Sequence, residues 1–287
     1  MKHIAILGPG LLGGSIALAL RNDIDVRVSM WARRVDAVEE AKALDVADLV
    51  TTSLEEAVTD ADTVLLCVPV GAMSGIVSQI LPKLSPDALV TDVGSVKGLV
   101  CRSLGPALKG RAHFIGSHPM AGSERAGIGA ARADLFQSAV CIITPEAGDT
   151  STVAIQRATA LWERLGCRVR VLTPSVHDQI CAMISHLPHL SAAALVNTVE
   201  ALCPEAFGFC GTGFRDSTRI AGGLPAMWTE ILLSNRTAVA ESLRRFISIL
   251  ESAAEQLEGS DPSAEEEMFQ FLNTAKTRRE SLPGQSR

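Results

Sequence analysis

The sequence predicts an α/β half followed by an all-α half, and three observations carry that prediction. A chain of 287 residues is two domains at ~150 residues each. Its first 172 residues alternate short apolar runs with amphipathic stretches, the pattern of βαβ units and a mostly parallel sheet. Beyond Thr173-Pro174 every long segment has helical composition. The boundary is therefore set at 172, dividing the chain into 1–172 and 173–287.

Taken in order, His3 to Leu7 is an apolar strand that ends in Gly8-Pro9-Gly10-Leu11-Leu12-Gly13, and Gly14 to Leu20 is helical. Strand, helix, strand and helix follow over Val26 to Trp31, Val35 to Leu44, Thr63 to Val68 and Met73 to Leu81. Ala88 to Val93, Ala139 to Ile143 and Arg168 to Leu172 read as further strands. The second half reads as helices over Val176 to Leu187, Leu190 to Leu202, Ala226 to Leu257 and Ser263 to Leu282. Ser263 and Glu266 are spaced as a capping box for the last of them.

Composition narrows the classes. Hydrophobic residues make up 47% and charged residues 20%, which excludes a disordered, collagen-like or coiled-coil chain. A net charge of −6 argues against nucleic acid as a partner. Gln179 to Val199 and Thr63 to Pro82 lack formal charge, but Pro, Ser, Gln and His break the ~20-residue apolar run that a span requires. The N-terminus resembles a signal peptide, yet Gly8-Pro9-Gly10 interrupts its apolar helix, so no export is expected. Seven cysteines, odd in number and without a C-x-x-C, read as reduced thiols of a cytoplasmic protein.

Gly8-x-Gly10-x-x-Gly13 lies between a strand and a helix, the context of a dinucleotide fingerprint. Gly8 permits the turn, Gly10 lets backbone approach a pyrophosphate, and Gly13 allows close helix–strand packing. The N–H groups at Leu11 and Leu12 then face the phosphates at the positive end of the helix. The domain is therefore of Rossmann type, and Val68 and Pro69, at the end of the Thr63 strand, are assigned to the same site. The next strand ends in Trp31-Ala32-Arg33-Arg34. Where an acid would bind the ribose hydroxyl of NAD, Ala32 stands, followed by two guanidinium groups suited to a 2′-phosphate. This favours NADP over NAD.

Ser95, in Gly94-Ser95-Val96-Lys97, and His118, in Gly116-Ser117-His118-Pro119, each follow an apolar run, where open α/β sheets bind ligands. Taken alone, Ser95 reads first as a helix N-cap and a lone histidine such as His118 as structural. Together with ARADLF at 131–136, HDQICAMISHLPH at 177–189 and GFRDSTRIA at 213–221, they resemble the TyrA family of prephenate, arogenate and cyclohexadienyl dehydrogenases. The resemblance runs from about residue 4 to 280, closing on Ala275-Lys276-x-Arg278-Arg279. It implies oxidative decarboxylation of a cyclohexadienyl acid, giving 4-hydroxyphenylpyruvate from prephenate or tyrosine from arogenate. His118 would take the proton of the ring hydroxyl, and Ser95 would orient His118 or that hydroxyl. Arg219 would bind the substrate carboxylate, His189 would line the pocket, and Ser123 is a further substrate-binding candidate. The same resemblance implies a homodimer formed through the helical domain. No room is expected after Leu282 for an appended regulatory domain.

His177, Asp178, His186 and His189 invite a metal assignment. On a regular helix, however, 177 and 186 face opposite sides at ~100° per residue, so no metal is assigned. His177 and His186 read as structural or as neighbours of the site, and Trp228 as core or interface. The rival reading is another two-domain NADP dehydrogenase, of the β-hydroxyacid or imine-reductase kind. The lysine-dependent version is disfavoured because Asp178 to Leu250 contains no lysine. A non-catalytic NADP sensor is the alternative from a different class.

Overall fold

A computed structural model describes residues 1–21, 23–122, 125–146, 151–259 and 263–282. The first half runs β1 (His3–Leu7), α1 (Leu11–Leu20), β2 (Arg27–Trp31), α2 (Val35–Ala43), β3 (Leu49–Thr51), α3 (Leu54–Val58), β4 (Thr63–Leu66) and α4 (Val70–Ile80). It continues through β5 (Leu89–Asp92), α5 (Gly98–Leu108), β6 (His113–Pro119), β7 (Val140–Thr144), α6 (Thr152–Arg164) and β8 (Arg168–Val171). Helices α7 (Pro174–Cys181), α8 (Leu187–Leu202), α9 (Thr212–Thr218), α10 (Pro225–Ser234), α11 (Arg236–Glu258) and α12 (Ala264–Glu280) follow.

The eight strands form one sheet in the order β3-β2-β1-β4-β5-β6-β7-β8. Strands β1 to β6 are parallel to their neighbours, β7 is antiparallel to β6, and β8 is parallel to β7. Order reverses between β1 and β4, so a crevice opens at their carboxyl ends. The unbroken apolar run of β1 follows from helices covering both faces of the sheet. Ile4 and Ile6 enter one buried cluster with Ile16, Phe136 and Trp162, while Ala5 and Leu7 enter another with Val64, Leu66 and Leu104. Each such Ile or Leu contributes about 1.5–3 kcal/mol by leaving water.

Three expectations need correction. The segment from Ala226 to Leu257 is two helices, because Asn235 turns the backbone and commits its amide to the Asp178 carbonyl and to His186 Nδ1. The capping box does not form at α12. Ser263 has helical backbone angles (φ −77°, ψ −15°), which aim its hydroxyl at the Glu267 carboxylate rather than at a backbone N–H. Nor do His177 and His186 occupy opposite sides of a regular helix. A π turn, Ala182–His186, joins α7 to α8, and its wider loop holds back the rotation that an α-helix would make. Pro188 enters in the first turn of α8, where its missing N–H costs little.

The continuous stretch Pro174–Leu202 is long and apolar enough to cross a membrane by length and composition, yet His177, Asp178, His186 and His189 along it are buried in protein. By compactness the chain divides into Met1–Ala238 and Val239–Arg287. The first unit holds the sheet and α7 to α10. The second holds most of α11 and all of α12, whose Glu265, Glu266 and Glu267 at one end and Arg278 and Arg279 at the other complement the helix dipole.

Candidate active site

The crevice at the ends of β1 and β4 is built around glycines. Gly8 has φ +122°, and a Cβ there would strike the Cys67 carbonyl oxygen. A Cβ at Gly13 would strike the Gly8 oxygen, which fixes how closely α1 approaches the turn. At Gly10 a Cβ would meet nothing within 4 Å, so this side of the turn is open space. Gly10 caps α1 without a side-chain bond, leaving the helix N-terminus at Leu11 and Leu12 to an external acceptor. Val68 lies beside Gly8, and Pro69 caps α4. At the end of β2, Ala32 is buried while Arg33 and Arg34 are exposed, Arg34 lying 3.4 Å from Asp36. These residues fit a dinucleotide: an open pyrophosphate cradle, free N–H groups, and cations where a ribose would end.

His118 closes β6 two strands further along the sheet. Its surroundings are polar, buried and almost fully paired. Asp92, Lys97, Ser117 and His177 are each at most 0% exposed, and His118 is 7% exposed. Lys97 Nζ forms an ion pair with Asp92 and donates to the Ser117 carbonyl at 2.7 Å. The other Asp92 oxygen accepts from Ser117 N at 3.0 Å, so the turn after β5 is bolted to β6.

A chain of hydrogen bonds leads from His118 to Asp178. His118 Nδ1 lies 2.8 Å from His177 Nε2, and His177 Nδ1 lies 2.9 Å from Asp178 Oδ1. Asp178 also accepts from the backbone N–H groups of Lys97 and Gly98 at 2.7 and 2.9 Å, capping α5 from another helix. Hydrogen bonds from His177, Lys97 and Gly98 outweigh the effect of burial and hold its carboxyl below the ordinary range, so it is ionised and can only accept. His177 Nδ1 therefore donates, His177 Nε2 accepts from His118 Nδ1, and the lone pair of neutral His118 is left on Nε2. Burial, with His177, Lys97 and His186 nearby, pushes the His118 imidazole well below the usual histidine range. It is a neutral base at pH 7. Cys181 Sγ sits within sulfur hydrogen-bond reach of both imidazoles, 3.4 Å from His177 Nε2 and 3.7 Å from His118 Nδ1.

The remaining candidates divide. His189 stacks on Trp228 with ring centroids 3.6 Å apart and planes 8° from parallel, and its buried Nδ1 has no hydrogen-bond partner among the described residues. Gly223 admits the stack, since a Cβ there would strike the indole. Arg219 opens the short 3₁₀ turn Arg219–Gly222, which packs against α8, the helix of His189. Ser95 is half-buried, and among the described residues no hydrogen bond joins it to His118. It does not cap α5 either; Asp178 serves the N-terminus of that helix. Ser123 lies outside the described residues. Sequence reasoning placed His177 beside the site without a role, weighed Asp178 only as a metal ligand and gave Lys97 no role. The adjacent His177-Asp178 pair was the available signal, but its link to His118 spans 59 residues.

Comparison with known proteins agrees with this architecture. The family model for the prephenate dehydrogenase nucleotide-binding domain matches residues 16–171, and that for the prephenate dehydrogenase dimerization domain matches 173–274. A cyclohexadienyl dehydrogenase from Zymomonas mobilis is 37% identical over 265 residues, covering 91% of this chain and 90% of that protein. The crystal structure of A. aeolicus prephenate dehydrogenase with hydroxyphenyl propionate and NAD+ superposes with a TM-score of 0.90 at 34% identity, covering 97% of both chains. Synechocystis arogenate dehydrogenase gives a TM-score of 0.82 at 29% identity, covering 96% of this chain and 99% of that one. A two-domain dinucleotide enzyme with a buried histidine at the mouth of its sheet, this chain belongs to the TyrA family of prephenate, arogenate and cyclohexadienyl dehydrogenases.

Proposed function

We propose that this protein oxidatively decarboxylates prephenate or arogenate in tyrosine biosynthesis, with NADP+ preferred over NAD+. The observation that carries this reading is the His118–His177–Asp178 chain, which leaves the His118 lone pair on Nε2 at the end of a sheet strand. When bound, the nicotinamide supplies the hydride acceptor. His118 Nε2 takes the proton of the ring hydroxyl as the hydride leaves the same carbon. A weak base suffices there, because loss of hydride makes that hydroxyl strongly acidic. The resulting imidazolium keeps its Nδ1–H bond to His177, and the Asp178 carboxylate offsets its charge. Loss of the ring carboxylate then follows, driven by aromatisation.

Arg219 holds a substrate carboxylate, His189 Nδ1 offers an unsatisfied polar atom to the side chain of the substrate, and Ser95 Oγ meets the ring hydroxyl. The exposed Arg33 and Arg34 support NADP, since each guanidinium can grip a 2′-phosphate. The exposed apolar side chains of the helical half support a homodimer, and seven free thiols fit a cytoplasmic setting.

The test is formation of reduced nicotinamide from prephenate and arogenate, each with NADP+ and NAD+. His118→Asn should lower turnover ~10²–10⁴-fold with cofactor binding retained. Replacing Arg33 and Arg34 by Ser should weaken NADP+ by about 1.5–3 kcal/mol per lost charged hydrogen bond and leave NAD+ unchanged. Absence of turnover with both acids, with NADP+ binding intact, would overturn the reading.

A further inference from the structure

His118, His177 and Cys181 bring three ligand atoms to one point. The separations are 2.8 Å between His118 Nδ1 and His177 Nε2, 3.4 Å from Cys181 Sγ to His177, and 3.7 Å from Cys181 Sγ to His118. Ligands on a tetrahedral Zn²⁺, at the usual Zn–N and Zn–S lengths, stand roughly 3.3–3.6 Å apart. The ring centroids lie 5.1 Å apart, so the two nitrogens face each other along the hydrogen bond. To share an ion the imidazoles would have to part by about half an ångström and each tilt by roughly 35°, exchanging one hydrogen bond for two metal bonds. Behind the trio, His177 Nδ1 already donates to Asp178, the carboxylate–histidine arrangement that orients metal-bound imidazoles. His177 and Cys181 are fully buried, and His118, 7% exposed, is the ligand that an incoming ion would meet first.

We propose that this trio is an inhibitory site for a borderline-soft divalent cation, Zn²⁺ in the first instance, whose occupation switches off the base. Two nitrogens and a sulfur select such an ion over Mg²⁺ or Ca²⁺, which require oxygen. Three protein ligands leave a fourth position for water or substrate. Binding removes the S–H proton of Cys181. It also moves the His118 proton from Nδ1, which now coordinates, to Nε2, so one proton is released per ion. With Nε2 protonated, His118 has no lone pair for the ring hydroxyl. The inhibition rests on His118 being the base; the binding does not.

The experiment titrates the intact protein with Co²⁺ as the spectroscopic stand-in for Zn²⁺, and separately follows turnover in Zn²⁺ buffered by a chelator. One Co²⁺ per chain should bind with a thiolate-to-metal charge-transfer band. Cys181→Ser should abolish that band and relieve Zn²⁺ inhibition while keeping turnover in metal-free buffer. Changing both Cys203 and Cys210, the thiols near the surface, to Ser should leave band and inhibition in place. Asp178→Asn should weaken Co²⁺ by ~10–100-fold. Absence of the band in the unaltered protein, its persistence in Cys181→Ser, or its loss on removing Cys203 and Cys210 would overturn the site. A band without inhibition would overturn the switch while keeping the site, and would do so whether or not His118 is the base.

Discussion

The residues around His118 and those of the Val239–Arg287 unit depart from the hydrophobic-inside rule in opposite directions. Around His118 the chain buries two carboxylates, an ammonium and three imidazoles, and joins nearly all of them by hydrogen bonds. In α11 and α12 it exposes Ile247, Ile249, Leu250, Leu257, Phe269, Phe271 and Leu272, none of them less than 43%. A buried polar group needs partners supplied by distant parts of the same chain, whereas an exposed apolar group needs a surface that the single chain does not supply. The first is a site completed within the fold. The second is unfinished surface, and it falls largely within the span matching the dimerization-domain model.

The comparison breaks most visibly at Lys97. Lys97→Ala leaves Asp92 as an uncompensated buried charge and should cost about 3–5 kcal/mol in urea unfolding. A loss below about 1 kcal/mol would mean that water reaches Asp92 and that the network is not closed. Acid should act next, in this region and at His3 of β1, whose imidazole burial also holds below the usual range. Burial lowers His118 and His177 and pushes His186 down to about 4, so below pH 6.5 the unfolded chain binds protons that the native state refuses. Stability is thus full above 6.5 and falls as pH drops toward 4, by an amount on the order of a few kcal/mol. Unfolding midpoints at pH 7, 5.5 and 4.5 check the slope; a flat profile contradicts neutral buried histidines.

A smaller effect is expected at Trp228. Trp228→Leu keeps an apolar group but loses the stack on His189, worth about 0.5–1.5 kcal/mol. It should raise the substrate KM severalfold with little change in kcat, and an unaltered KM would take His189 out of the pocket. The smallest change in chain stability, about 0.5 kcal/mol or less, is expected for Phe269→Ser with Leu272→Ser. The same pair should shift sedimentation toward the monomer; an unchanged association state would leave that face unexplained.

What was legible in the sequence follows the same division. Strands β1, β2, β4, β5 and β7 announced themselves as apolar runs because helices cover both faces of the sheet; β8, also read as a strand, is an alternating Arg-Val-Arg-Val edge and is largely exposed. β3 is three residues long and gave no run, and of β6 only the apolar approach to Gly116, Ser117 and His118 was read, without a strand being assigned. Helix α5 was hidden by Gly105 and Pro106. At the site, motifs identified His118, Ser95, Arg219 and His189 as candidates. The partner of His118 was not readable, since it depends on β6 meeting α7.

The π turn at Ala182–His186 acts as a phase adjuster. Each residue of an α-helix advances the chain by ~100°, so one extra residue in a turn resets every side chain after it. Deleting a single residue there would give a more regular helix, free of a rare conformation. It would also swing His189 about a quarter-turn from Trp228 while His177 stayed against His118. Local regularity and the alignment of the two ends of the pocket are therefore mutually exclusive in this stretch, and the length of the segment, rather than its composition, is what substitution cannot restore.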